Sequence, residues 1–311
     1  MGFYEHATEF AGLPVVDWDP DAGIVDPTGT IYRLGLSWDE GEEGVRWTDK
    51  FATFLDDPAV GSITGLVVGP WTAMLGAGEE DASASVVEAL VAARDRLPHL
   101  KAIFLGDVIS EECEISWIPL TDVSPLFHAY PALEHFTVRG TEGLSLGELR
   151  HDSLRSLVIQ SGGLSRDIFH QVAMAELPEL THLELWLGTG DYGGNVTVED
   201  LAPLLPGTLF PRLRYLGLRD SEIADEIAAV VAQAPLVEKI RVLDLSMGTL
   251  GDEGAAALLA SPAVARLEKL DIHHHYCSPQ MVERLKGLGI EVDAGDPQDE
   301  SEYGRYVAVS E

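Results

Sequence analysis

One short pattern recurs along this chain and limits its fold more than any other feature. It is an apolar residue, two variable ones, an apolar, one variable and an apolar. It reads Ile63-x-x-Leu66-x-Val68, Leu100-x-x-Ile103-x-Leu105, Leu133-x-x-Phe136-x-Val138 and Leu154-x-x-Leu157-x-Ile159. It continues as Leu180-x-x-Leu183-x-Leu185, Leu213-x-x-Leu216-x-Leu218, Ile240-x-x-Leu243-x-Leu245 and Leu267-x-x-Leu270-x-Ile272. A worn ninth copy is read at Leu285-x-x-Leu288-x-Ile290. The starts recur at a mean spacing of about 29 residues, long for a repeat of this kind. The last three positions alternate, as a strand with one buried face requires.

Helix signals fill the intervals. Val86, Leu90, Ala93 and Leu97 make one apolar stripe. Ser165 precedes Ile168, Phe169 and Val172, and Thr197 precedes Leu201 and Leu204. Asp252 opens an Ala-rich helix, and Ser278-Pro279 supplies a cap followed by a proline at the first helical position. Pro98, Pro131, Pro178 and Pro211 each stand two residues before a motif and stop the preceding helix. A strand–loop–helix unit of this size cannot bury its faces alone, but stacked units can.

Eight copies in series give residues 60–293 a pattern that resembles the leucine-rich repeat superfamily, of the ribonuclease-inhibitor-like type with helical backs. The chain is similar to single-domain bacterial members. The resemblance implies an α/β, right-handed solenoid curved as a horseshoe, with a parallel inner sheet, outer helices and a concave face that meets a protein or peptide. The Asn or Cys that usually follows the strand in this superfamily is missing from most copies.

Residues 1–58 are expected to form an N-terminal cap. Its Pro/Gly turn at Gly23–Thr30 suggests a hairpin whose second arm alternates Tyr32, Leu34, Leu36 and Trp38. Thr48 then opens a helix carrying Phe51, Phe54 and Leu55. Residues 59–293 make the solenoid of about nine repeats. Residues 294–311 make an acidic tail with a closing strand at Arg305–Val309.

Lys and Arg number 20 against 52 Asp and Glu, a net charge of −32. Such a field repels phosphate, so neither nucleic acid nor an anionic membrane surface is an expected partner. No secretory leader is read at Met1–His6, no apolar run reaches the roughly 18 residues of a membrane span, and the two cysteines form no CxxC pair. A cytoplasmic protein is expected. The acidic runs Asp39–Glu43 and Glu79–Asp81 read as solvated loops. Glu111–Trp117, anchored by Ile115 and Trp117, and the Gly-rich Gly188–Asn195 read as rim loops.

In the implied architecture the variable positions beside the motif's last apolar residues point into the concave face. The residues of that lane expected to bind a partner are Phe104, His135, Arg139, His182, Glu184, Trp186, Tyr215, Arg219, Asp244, Lys269, Asp271 and His273. Aromatic and Arg side chains are what recognition surfaces enrich, and Trp186, Tyr215 and Phe104 are the expected anchors. The acidic surroundings favour a basic partner. No GxSxG, HExxH, GxGxxG or P-loop motif appears, so the leading expectation is a non-enzymatic binding module without a cofactor. Two alternatives stay open. Asp271, His273 and His275 alternate and could hold a metal for a small-ligand protein or enzyme. The chain could also be a structural assembly subunit.

Overall fold

A computed structural model of the chain describes residues 3–72, 75, 82–140 and 142–310. The acidic run Glu79–Asp81 lies outside the described residues. The chain divides into two compact units, Met1–Leu157 and Val158–Ser310.

In the first unit, β1 (Glu9–Phe10) and β2 (Leu13–Asp17) form an antiparallel hairpin. Its turn is Ala11-Gly12, both left-handed at φ +49° and +78°. β3 (Ile31–Leu34) follows, then α1 (Trp38–Glu42), α2 (Trp47–Leu55), β4 (Gly65–Val68) and α3 (Ala82–Ala92). β5 (Ala102–Leu105), α4 (Ser124–Ala129) and β6 (His135–Arg139) complete the unit. From β2 to β6 every strand pairs in parallel with the next in chain order. Tyr32, Leu66, Ile103 and Phe136 stand opposite one another in a buried row.

β7 (Ser156–Gln160) falls at the division. The second unit runs α5 (Arg166–Ala173), β8 (His182–Gly188), β9 (Tyr215–Ser221), α6 (Ala224–Val231), β10 (Val242–Asp244) and α7 (Asp252–Ala260). It continues with β11 (Lys269–Asp271), α8 (Pro279–Lys286) and β12 (Glu291–Asp293). Strands β8 to β12 again pair in parallel and in chain order. Leu183, Leu216, Leu243 and Leu270 form the core row, each with 0% of its surface exposed. Ser165 caps α5 by accepting from the Ile168 amide, and Ser278 caps α8 by accepting from Met281. In both units an apolar strand face is covered because strand and helix alternate, the organisation of a repeat solenoid. Among the described residues no helix is long and apolar enough to cross a membrane.

Four local expectations are corrected. The Gly23–Thr30 turn does not join a hairpin. It belongs to a crossover between the parallel strands β2 and β3, so the parallel ladder already begins in the segment read as a cap. The ninth copy sits four residues further on: Val292 opposes Leu270, while Leu285 belongs to α8. The motif was misplaced because the buried stripe of a helix can also supply leucines three apart. Arg305–Val309 is not a strand, although Ala308 donates to the Met247 carbonyl. Trp117 is exposed, and Ile115 and Cys113 anchor its loop in the core.

Candidate functional site

The in-register strands of the second unit place the lane side chains in rows. His182, Tyr215, Val242, Lys269 and Glu291 share one row. Glu184, Gly217, Asp244, Asp271 and Asp293 share the next. Trp186 and Arg219 stand opposite each other one step on. Parallel strands about 4.8 Å apart therefore line up a series of carboxylates.

Glu184 is the centre of a hydrogen-bond network. Its Oε1 accepts from Trp186 Nε1 at 2.8 Å and from Arg219 Nη1 at 2.8 Å. Its Oε2 accepts from Tyr215 Oη at 3.1 Å and lies 3.6 Å from His182 Nε2. Geometry gives the Tyr215 hydroxyl a second carboxylate partner, Asp244 Oδ2, at 2.6 Å. Its one proton can serve only one of the two oxygens at a time. Arg219 also donates from Nε to Ser246 Oγ at 2.9 Å, and its guanidinium lies 5.6 Å from the Trp186 ring centroid. Gly217 makes this possible. A Cβ there would come within 3.1 Å of the Tyr215 ring and 3.2 Å of Glu184 Cγ, so a side chain at this position would crowd the phenol that reaches across to both acids. The His182 and Tyr215 rings stack at 3.9 Å with planes 7° apart.

The charges are mutually held. Burial works to raise the Glu184 pKa, but the neighbouring His182, the Arg219 charge and the Trp186 donor outweigh it and hold the carboxyl at about 2. Burial and the two facing carboxylates push the Tyr215 phenol well above its ordinary range. Arg219 is buried, yet Glu184 and Asp244 keep it more firmly protonated than usual.

At the far end of the lane, Asp271 Oδ1 contacts His273 Nδ1 at 2.7 Å and accepts the His273 amide. Donor atoms of Asp271, His273 and Asp293 lie within 4.8 Å of one another, a spacing suited to a metal ion. Lys269 already stands there, its Nζ 2.9 Å from Asp271 and 3.5 Å from Asp293. An ammonium thus already neutralises both carboxylates of the trio. Lys269→Met is therefore expected to bind Zn²⁺ at least about tenfold more tightly than the parent chain. Isothermal titration checks this, and equal affinities would show that the lysine does not guard the trio.

His275 is corrected out of this group. The strand ends at Asp271, and His274 turns into the left-handed region at φ +56°, which breaks the alternation. His275 is buried, where its Nδ1 accepts the Cys277 amide.

The remaining lane residues lie in the first unit. Phe104 and Arg139 are buried, at 3% and 0% exposure, and His135 is half-buried. Trp186 is also buried, at 0%. Neither it nor Phe104 presents a free anchor surface, because both rings are covered by their neighbours. Of the residues expected to bind a partner, those left part-exposed in the second unit are His182, Tyr215, Lys269 and His273. Sequence reasoning missed Asp293, through the misplaced ninth copy, and Asp107, which sits beyond the motif in the first unit.

No protein-family model and no curated protein matches the sequence. Among solved structures, a Bacteroides fragilis protein is similar at 30% identity with a TM-score of 0.82, covering 90% of this chain and 77% of that one. An internalin, InlF from Listeria monocytogenes, aligns at 13% identity with a TM-score of 0.32, covering 79% of this chain and 78% of the internalin.

Proposed function

We propose that the chain, which belongs to the same family as that Bacteroides fragilis protein, is a non-enzymatic leucine-rich repeat module of ribonuclease-inhibitor-like type that binds a protein or peptide. The binding surface is the strand face of the second unit, which would be the concave one in such a solenoid. The observation that carries this reading is the row Glu184, Asp244, Asp271 and Asp293, set in register beside the stacked His182–Tyr215 pair. These acids, with Glu291, outnumber the permanent cations Arg219 and Lys269 on the same face. The preferred partner is a basic or mixed-charge segment whose Lys or Arg side chains meet Asp293 and Glu291, the exposed carboxylates of the lane. The aromatic pair at His182 and Tyr215 gives that segment a flat surface to lie on. The internal bonds within the network fix the side chains in advance, which lowers the ordering cost of binding.

Two buried free thiols, Cys113 and Cys277, support a reducing compartment such as the cytoplasm. Burial pushes the Cys113 thiol up to about 11 and the Cys277 thiol to about 12, so neither is a ready nucleophile.

The test is titration of labelled Lys/Arg-rich peptides, with Asp/Glu-rich isomers of equal length as controls. Basic peptides are expected to bind, more weakly as salt rises. The double change Glu291→Lys and Asp293→Lys is expected to weaken them by about tenfold or more. Equal binding of acidic and basic peptides, or no effect of the reversal, would reject the assignment.

A further inference from the structure

The first unit has the same ladder of parallel strands, but its lane is closed. Residues 3–10 of the chain lie over it. The Arg139 guanidinium lies 5.7 Å from the Phe3 ring centroid and 5.3 Å from that of Phe104. The Phe10 and Phe104 rings meet at 5.8 Å. Between these aromatic contacts the Ala7 amide points at the Asp107 carboxylate, 3.2 Å from each oxygen. The Phe3 carbonyl accepts the Ser110 amide at 3.2 Å. Ala7 covers an apolar patch of Ile31, Val67 and Phe104.

This is how a groove holds a peptide: side chains seated on rings and backbone groups paired with fixed partners. We propose that the strand face of the first unit is a second peptide-binding surface, now filled by the chain's own residues 3–10. Its external ligand is an extended segment with two aromatic side chains spaced like Phe3 and Phe10 and a free backbone N–H between them.

Two features separate a displaceable occupant from a permanent lid. First, Asp107 is fully buried, and its carboxylate faces Arg33 at 3.1 Å, His6 at 3.4 Å and Arg139 at 3.8 Å. The acid balances the buried Arg139 and Arg33, and it also accepts a backbone N–H, a contact that any extended segment can supply. A carboxylate suits a surface that must recognise a donor brought to it. Second, the segment is buried at Phe3 and Ala7 but is held by little regular structure. Among the described residues its strand pairing is confined to the two-residue β1, and its flank at His6 opens on a cavity of about 240 Å³ lined also by Arg33, Lys50, Glu40 and Glu112. A segment with so short a ladder can detach without breaking the parallel sheet beneath it.

An occupant in the same chain competes at an effective concentration of order millimolar, so a free peptide binds weakly until that occupant is weakened. The surface is separate from the lane of the second unit, and either assignment can fail without the other.

The probe is a fluorescein-labelled synthetic peptide of residues 3–17, with a scrambled peptide as control. The full-length double variant Phe3→Ser, Phe10→Ser is expected to bind it at least about tenfold more tightly than the parent chain. Adding Asp107→Asn is expected to remove that gain. In the parent chain, excess peptide is expected to speed hydrogen exchange at the Ala7 amide by trapping the open form. Tight binding of the scrambled peptide, or a double variant no better than the parent, overturns the proposal. If the double variant does not fold, the parent chain decides: unchanged Ala7 exchange overturns it.

Discussion

Arg219→Met is expected to lower the unfolding midpoint at neutral pH by roughly 10 °C, the loss expected when a buried ion pair of ~3–5 kcal/mol is broken on one side. Methionine approximates the arginine's volume but brings no charge. It leaves Glu184 and Asp244, both under 10% exposed, facing each other across Tyr215 with no cation between them. The sign with pH follows from Glu184. Its folded pKa, about 2, lies below the ordinary 4.5, so its contribution is complete above 4.5 and is lost as pH falls toward 2. Without Arg219 one of the groups that lower this pKa is gone while burial still raises it, so the variant has less of this contribution to lose on acidification. The gap between parent and variant is therefore widest near pH 7 and narrows toward pH 4. Thermal melts at both values check this, and a gap that stayed level or grew in acid would show that Arg219 does not hold Glu184. Adding Glu184→Leu to the variant is expected to recover much of the loss, since it removes the acid left without its cation.

The strands were legible because burial writes itself into period two. Leu183, Leu216, Leu243 and Leu270 could be read as one row from spacing alone, and they form one. The lane was legible in membership but not in exposure. Alternation says which side of a strand His182, Glu184 and Trp186 share, but not that Trp186 lies sealed while His182 stays part-open. That outcome depends on Arg219 from the next strand and on the gap left by Gly217, contacts between residues some thirty positions apart. The segment Phe3–Phe10 was not legible at all. It has no period of its own and takes its shape from the surface beneath it, so Phe104, Arg139 and Asp107 together explain where it lies. The reading of Asp271, His273 and His275 as one face failed for a local reason. One left-handed residue, His274, reverses the alternation, and nothing in a run of three histidines announces it.

Trp186 separates the two views of the lane by the kind of damage its removal does. An exposed anchor would tolerate truncation: stability would hold and binding would vanish. The structure leads to the opposite result. The indole is fully buried, lies beneath the Arg219 guanidinium and donates to Glu184 at 2.8 Å. Trp186→Ala is therefore expected to cost ~3–5 kcal/mol of stability through the cavity it leaves. The freed Glu184 oxygen also loses a donor that helps to keep it charged. His182→Ala is the matched control. That side chain is 34% exposed, and its removal is expected to cost less than about 1 kcal/mol while weakening the capture of basic peptides, since one half of the stacked pair is gone. Denaturant melts and peptide titrations on both variants give the pair of readings. A Trp186→Ala chain as stable as its parent but unable to bind would return the indole to the surface as an anchor. A large stability loss there, with the binding defect confined to His182→Ala, places recognition on the part-open edge of the lane and leaves the tryptophan as the packing that holds that edge in position.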